Sequence, residues 1–277
     1  MPPTAHGSPS GHRTRIMTWK TTCVPNEKLD KIRSFVACMP DLQYVFYTDS
    51  GIMEFLSNYS RTSGVPGMAQ AVSKMAHAGK WRGIKLAEMA RGLLLEHRGG
   101  LAFDLDVSCR QSWGPLLDRY EALMALEPRD GSRGRIYKLH GSGASISKEL
   151  SDFSSTSHVL SSVMAAARPH TRFFKQLANY TARTINGPTF RVEAVPVENI
   201  GPMFHYHFLG HYFASHPPAS QGAVMASYLL HVDCRDCPAR HHGGCTWCNE
   251  RYQPTACTDI RRILPADKLT IYDGQRH

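Results

Sequence analysis

Strand-like and helix-like segments alternate along the first 107 residues, and this alternation constrains the fold more than any other feature. Residues 15–19, 42–48 and 101–107 are short and apolar, with the aromatic and β-branched residues typical of buried strands. The segments between them carry apolar residues at helical spacing, and they cover residues 26–39, 52–60, 68–79 and 83–98. The pattern predicts an α/β domain with a mostly parallel central sheet.

The second half of the sequence is less regular. Apolar spacing predicts helices over residues 114–128, 157–168 and 171–185, and strands over residues 135–143 and 189–197. The chain has 277 residues, of which 42% are hydrophobic, so it can bury a substantial core. No clear linker divides it.

Three segments follow from composition. Residues 1–14 are polar and rich in Pro, Gly and Ser, and they predict a disordered leader without a signal peptide. Residues 15–232 form the predicted main domain, and residues 233–277 form an irregular Cys/His-rich extension. No run of eighteen apolar residues occurs, so we predict no transmembrane segment in this chain. The net charge of +9 suits an anionic partner or simply aids solubility, and it does not choose between them.

Two aspartates at the end of a buried strand are the most informative local feature. If the strand runs through residue 107, Asp104 and Asp106 point to the same face. Ligands in open α/β sheets collect beyond the carboxyl ends of strands, and paired carboxylates there favour Mg²⁺ or Mn²⁺. A pair of loop-capping aspartates is the alternative. Glu88 and Arg91 lie three residues apart on the preceding helix, so they share a face directed at this region or at solvent.

These residues carry a resemblance to a known family. Residues 85–107, "KLAEMARGLLLEHRGGLAFDLDV", resemble the core motif of the DXD-containing sugar transferases of glycosyltransferase family 32. That family includes yeast α-1,6-mannosyltransferases and α-1,4-galactosyltransferases. "IMTWKT" (16–21) and "PDLQYVFYTDSGIMEFL" (40–56) resemble its opening strand and its Thr-Asp turn, and "NGPTF" (186–190) resembles a later Gly-Pro segment. In this chain Glu88 stands where the family usually has Asp, Gly92 replaces an aromatic residue and Ala102 replaces Tyr.

The resemblance implies a GT-A-like, Rossmann-type nucleotide-sugar-binding fold and a metal-dependent retaining hexosyltransferase. The donor would be a UDP- or GDP-hexose, and the acceptor a hydroxyl of a glycan, lipid or protein. Asp106 would hold Mn²⁺ or Mg²⁺ with Asp104, and Asp104 would also contact the ribose or the donor sugar. The remaining donor-binding residues implied are Trp19 near the base, Glu88, Arg91, Gly99 and Gly100. His231 would be a further metal ligand, and Asp104, Asp106 and Arg91 would be the catalytic residues.

The C-terminal segment contains two Cys-x2-Cys pairs. Cys234, Cys237, Cys245 and Cys248 have spacing suited to structural zinc, while disulfides or free thiols are the alternatives. His241, His242 and Cys257 are spare ligand candidates. Four histidines in "FHYHFLGHYFASH" (204–216) are expected to be packed or exposed rather than metal-bound.

A different class of function competes with the transferase. The basic charge and the paired cysteines would also suit a zinc-stabilised module that binds nucleic acid or protein, on a catalytically inactive transferase-like fold. That reading leaves most of the chain unexplained, so we expect no nucleic-acid partner. Eukaryotic relatives act in the Golgi lumen behind a membrane anchor. The resemblance therefore implies a Golgi or secretory lumen if an anchor is missing from this chain, and a soluble cytoplasmic protein otherwise.

Overall fold

The computed structural model describes residues 13–128, 157–194, 200–216, 224–227, 239–241 and 256–274. Its eleven strands, counted over these ranges, are β1 (Thr14–Thr18), β2 (Cys23–Pro25), β3 (Gln43–Tyr47), β4 (Gly100–Phe103), β5 (Val107–Cys109), β6 (Ala122–Pro128), β7 (Ser157–Ala166), β8 (Val224–Ser227), β9 (Ala239–His241), β10 (Cys257–Asp259) and β11 (Leu269–Tyr272). The α-helices of the same ranges are α1 (Leu29–Cys38), α2 (Asp49–Thr62), α3 (Met68–Ala76), α4 (Arg82–Arg98), α5 (Gly114–Arg119), α6 (Arg172–Asn186) and α7 (Pro202–Ser215).

Seven strands form the main sheet, in the order β11-β3-β1-β4-β7-β6-β8. Pairing is parallel between β11 and β3, β3 and β1, β1 and β4, and β6 and β8. Only β7, among the described strands of this sheet, runs antiparallel to its neighbours, β4 and β6. The prediction of an α/β fold with a mostly parallel central sheet is confirmed.

Both faces of the sheet are covered, which explains why its strands read as continuous apolar runs rather than alternating ones. One core lies between the sheet and helices α2, α3, α4, α6 and α7, and includes Ile16 and Ala102. The other core lies on the opposite face with α1 and α5, and includes Met17, Leu101 and Phe103. Successive residues of β1 and β4 therefore alternate between two buried layers.

Three secondary-structure predictions were wrong, and two of them involve buried apolar segments. The helix predicted over residues 114–128 is α5 followed by strand β6, and the helix predicted over residues 157–168 is strand β7. Leu123, Met124 and Ala125 are fully buried, and a short apolar run of this kind fits a central strand as well as a helix. Residues 189–194, the described part of a predicted strand, contain no strand. The strand predicted over residues 135–143 lies outside the described residues.

The C-terminal segment pairs with the first half of the chain at three places. β9 pairs with β5, β10 with β2, and β11 with β3 at the edge of the main sheet. A disulfide joins Cys23 to Cys257, with their Cα atoms 5.4 Å apart. Cys257 is therefore not the spare zinc ligand that the sequence suggested. The domain boundary at residue 232 stays a prediction.

A second disulfide joins the end of helix α1 to strand β5. Cys38 and Cys109 have Cα atoms 6.3 Å apart, and the Cys109 N–H donates to Ser34 Oγ at 2.8 Å. The helix is thereby fixed, covalently and by a hydrogen bond, to the strand that follows the Asp104–Asp106 segment. Among the described residues, no helix combines the length and hydrophobicity needed to cross a membrane.

Candidate active site at the carboxyl ends of the parallel strands

The two aspartates lie in a turn immediately after β4. The strand ends at Phe103, and the Val107 N–H donates to the Asp104 carbonyl at 3.1 Å, which closes the turn before β5 begins. The predicted strand over residues 101–107 is therefore shorter than expected. Its predicted apolar face is nevertheless present, because Leu101, Phe103, Leu105 and Val107 all belong to one buried cluster. Leu105 and Val107 anchor the turn, so the position of the aspartates is fixed by packing on either side of them.

Arg91 contacts both Glu88 and Asp104. Its Nη1 donates to Glu88 Oε1 at 3.2 Å, and its Nη2 donates to Asp104 Oδ1. Arg91 is only 5% exposed, whereas the Asp104 side chain is 36% exposed and can be reached from solvent. Helix α4 thus places a buried guanidinium beside the aspartate turn. Of the two directions that the spacing of Glu88 and Arg91 left open, the structure shows the one toward Asp104.

The carboxylates keep Arg91 charged despite its burial. Burial by itself would lower the pKa of Arg91, but Asp104, Glu88 and Asp106 together raise that pKa. The contribution of Asp106 indicates that both aspartates act on the same guanidinium. A permanently charged, hydrogen-bonded guanidinium can orient a carboxylate or a hydroxyl without changing its own protonation state.

Lys28 faces Asp106, a contact that sequence reasoning missed. Its Nζ lies 3.6 Å from Asp106 Oδ2, and the two side chains are 8% and 12% exposed. Lys28 lies just before α1, four residues ahead of Ile32 and seven ahead of Phe35, which are both buried. This spacing places the lysine on the apolar face of the helix. The pattern was a usable signal that this lysine is buried, but it did not indicate Asp106 as the partner.

Residues after β1 and β3 line the same edge of the sheet. The Trp19 N–H donates to the Tyr47 carbonyl at 3.0 Å, and the half-buried Trp19 ring packs against the α1-side core. Burial raises the pKa of Asp49, while Lys20 and Arg82 oppose that rise. The first turn of α4 is close, because a Cβ built at Gly83 would lie 3.5 Å from Asp49 Oδ2. Trp19, Asp49 and the aspartate turn therefore share the edge where the parallel strands end.

The two glycines predicted to bind the donor lie at the opposite end of β4. Both have positive φ, and a Cβ at Gly100 would lie 2.3 Å from the Thr14 carbonyl oxygen. A Cβ at Gly99 would lie 2.6 Å from the backbone of Arg168. Close backbone approach and left-handed geometry give Gly99 and Gly100 a structural role that needs no ligand, and their contact with the donor stays a prediction. Gly92 has a similar explanation, because a Cβ there would meet Leu177 of α6 at 3.0 Å.

The aspartate turn offers the donor chemistry that a divalent ion needs. Carboxylate oxygens suit Mg²⁺ and Mn²⁺, which commonly take one or two protein carboxylates and complete their shell with water and substrate phosphate. Within the described ranges, no group of three or more His, Cys, Asp or Glu side chains is placed to hold a metal. The carboxylates of Asp104 and Asp106 fit a site with two protein carboxylates, in which water and substrate phosphate would complete the shell of the ion. The predicted ligand His231 and the zinc candidates Cys234, Cys237, Cys245 and Cys248 lie outside the described residues.

A buried histidine of α7 lies near this arginine. Burial, with a smaller contribution from Arg91, lowers the pKa of His205 to about 4, against a hydrogen bond of 3.0 Å between Nδ1 and the Gly201 carbonyl. His205 is thus neutral near pH 7. Its packed position agrees with the expectation for the histidines of residues 204–216.

The low pKa of His205 predicts acid sensitivity. The unfolded chain has the ordinary histidine pKa of 6.5, so between about 4 and 6.5 it binds a proton that the folded protein does not. Above pH 6.5 neither state binds this proton, so the histidine does not change the stability. As the pH falls through this window the unfolded state is favoured, and about 2 kcal/mol of unfolding free energy is lost by about pH 5. Urea unfolding of the native protein and His205→Phe at several pH values measures this effect. Equal pH slopes for both proteins would contradict it.

Comparison with known proteins identifies the region that holds this site. Residues 25–123 match the family model described as "Glycosyltransferase sugar-binding region containing DXD motif". These residues are similar to the DXD-containing region of that family. The resemblance inferred from residues 85–107 is thereby confirmed.

Two further similarities accompany the DXD region. Over 100 residues the chain is 29% identical to inositol phosphoceramide mannosyltransferase 3 of Schizosaccharomyces pombe, a stretch that covers 36% of this chain and 25% of that protein. The chain thus matches about a quarter of that relative's length. Among solved structures, the PaToxG glycosyltransferase aligns with a TM-score of 0.47 and 13% identity, over 72% of this chain and 69% of that one.

Proposed function

We propose that this chain is a metal-dependent retaining hexosyltransferase that moves a hexose from a UDP- or GDP-hexose to a hydroxyl acceptor. One observation carries the proposal. Within the matched region, Arg91 contacts Glu88 and Asp104 at the carboxyl end of β4, beside the buried Asp106. The alternative, a zinc-stabilised binding module, depends on cysteines outside the described residues and gains no support from this geometry.

In the proposed reaction Asp106 and Asp104 hold the divalent ion. Such an ion supplies positive charge to the nucleoside diphosphate that leaves as the glycosidic bond breaks. Asp104, the more exposed of the two aspartates, also accepts a hydroxyl of the ribose or the sugar. Arg91 fixes the orientation of Asp104, and Glu88 fixes Arg91 in turn. Trp19, at the end of β1, lies on the same edge and is proposed to contact the base.

The relative named above suggests which donor and acceptor to test first. That protein is named as a mannosyltransferase of inositol phosphoceramide, so a mannosyl donor and a lipid hydroxyl acceptor are the first pair to test. Glycan and protein hydroxyls follow. Retention of anomeric configuration is carried by the family resemblance, and no catalytic nucleophile is assigned.

The disulfides support a location for the enzyme. Bonds such as Cys23–Cys257 and Cys38–Cys109 persist in oxidising compartments and are rare in the cytosol. We therefore propose that the protein works in the lumen of the secretory pathway, with the Golgi as the first compartment to examine.

The test is a screen of nucleotide-sugars with the full chain. UDP- and GDP-hexoses, including GDP-mannose, are incubated with lipid, glycan and peptide acceptors in the presence of Mn²⁺, Mg²⁺ or EDTA. We expect metal-dependent release of the nucleoside diphosphate, UDP or GDP, from one donor and a glycosylated acceptor whose NMR coupling shows a retained anomer. Absence of both release and metal-dependent nucleotide binding would overturn the proposal.

A further inference from the structure

We infer that Lys28 is a built-in cation of the metal–diphosphate site, and that it makes metal binding depend on the donor. The inference rests on the proposed function and goes beyond it. Lys28 shares Asp106 with the divalent ion. It disfavours the free ion and favours the ion when it arrives with a nucleoside diphosphate.

The contact that carries this inference is buried and has opposite charges. Lys28 Nζ lies 3.6 Å from Asp106 Oδ2, and Lys28 as a whole is 6% exposed. Lysine is rarely buried to this extent unless its ammonium serves a charged partner. The partner here is one of the two aspartates proposed to hold the ion.

The backbone around Lys28 is held on both sides, so the ammonium is preorganised. Ahead of it, the Asn26 N–H donates to the Ala256 carbonyl at 3.1 Å, next to the β2–β10 pair and the Cys23–Cys257 disulfide. Behind it, α1 is tied to β5 by the Cys38–Cys109 disulfide. A lysine held this way has its ammonium group fixed beside Asp106, so little side-chain conformational entropy is lost when a ligand binds.

The charges of the site explain the expected preference. Arg91 and Lys28 contribute two positive charges, and Glu88, Asp104 and Asp106 contribute three negative charges, which leaves a net charge of −1. A divalent ion alone meets repulsion from Lys28 and only this small negative charge. A nucleoside diphosphate brings several negative charges, which the ion and Lys28 can neutralise together. Without Lys28 the same side chains would sum to −2 and would hold the free ion more tightly.

Calorimetric titration of Lys28→Met separates the two effects. Methionine keeps most of the length and apolar contact of the lysine stem. We expect Mn²⁺ alone to bind the variant about tenfold more tightly than the native protein, because repulsion is lost. We expect UDP or GDP, titrated at saturating Mn²⁺, to bind about tenfold more weakly, because one charge-assisted contact is lost. The opposite signs distinguish this role from a structural one.

Lys31→Met is the matched control. Lys31 lies three residues after Lys28, and its Nζ donates to the Glu27 carbonyl at 2.7 Å. Lys28→Arg should restore both affinities toward native values. Circular dichroism and thermal unfolding check that each variant is folded. The inference would be overturned if Lys28→Met had the same Mn²⁺ and nucleotide affinities as Lys31→Met, or if both of its affinities rose or both fell.

If the native protein binds neither UDP nor GDP, the proposed function fails. The Mn²⁺ titration alone then decides whether Lys28 and the ion compete.

Discussion

Asp106→Asn is expected to reduce glycosyl transfer by about 10³-fold or more, with little change in overall structure. Asp106 is 9% exposed and lies between the buried residues Leu105 and Val107, which fix its position. Asparagine keeps the shape and one oxygen but removes the negative charge that the ion and Lys28 share. Steady-state kinetics with the donor found in the screen, over a range of Mn²⁺ concentrations, measures the loss.

The control for this substitution is Asp30→Asn. Asp30 lies at the start of α1 with a side chain that is 91% exposed, and within the described part of the chain it pairs with Arg33 at 3.6 Å. Activity of this variant should stay within about twofold of native, because surface ion pairs contribute little. An Asp106→Asn protein that is folded and retains a tenth or more of native activity would remove Asp106 from the proposed metal site.

Arg91→Met is expected to lower the free energy of unfolding by about 3–5 kcal/mol and to abolish transfer. The substitution leaves Glu88 and Asp104 facing each other without the guanidinium that bridges them. Loss of this cation from a buried site costs far more than loss of a surface charge. Urea unfolding followed by circular dichroism, together with the transfer assay, measures both effects.

Arg33→Met provides the comparison on the surface, because Arg33 is 58% exposed and forms an i,i+3 pair with Asp30. We expect its unfolding free energy to change by less than about 0.5 kcal/mol. Arg91→Lys should recover part of the stability but little activity, since lysine cannot bond both carboxylates in the same geometry. An Arg91→Met protein destabilised by less than about 1 kcal/mol would show that the two carboxylates do not depend on this arginine.

Local sequence patterns selected the residues of the site that lie close together in the chain. Glu88 and Arg91 are one helical turn apart and Asp104 and Asp106 follow the next strand, so spacing indicated two pairs, while a solvent-facing direction of the first pair stayed open until the structure placed Arg91 at Asp104. The alternation up to residue 107 likewise predicted the parallel core. The aspartate turn was misread as strand because the apolar residues Leu105 and Val107 continue the strand pattern while the backbone has already left the sheet.

Long-range contacts account for what the sequence did not reveal. Lys28 reaches Asp106 across 78 positions only because α1 packs beside β5, and no local pattern encodes that packing. The strand β7 was read as a helix because its serines and alanines are compatible with one, and its place between β4 and β6 decides its conformation. The partners of Cys23 and Cys38 were equally inaccessible, since connectivity cannot be deduced from cysteine spacing.

The position of β11 has a consequence for fragments of this protein. The matched transferase region ends at residue 123, yet the neighbour that covers the outer edge of β3 is supplied by residues 269–272. A truncated fragment containing only the matched region would expose the hydrogen-bonding edge of β3 and leave Cys23 unpaired. Such a fragment is expected to aggregate on expression, and the shortest piece suited to refolding is one that retains both ends of the described chain.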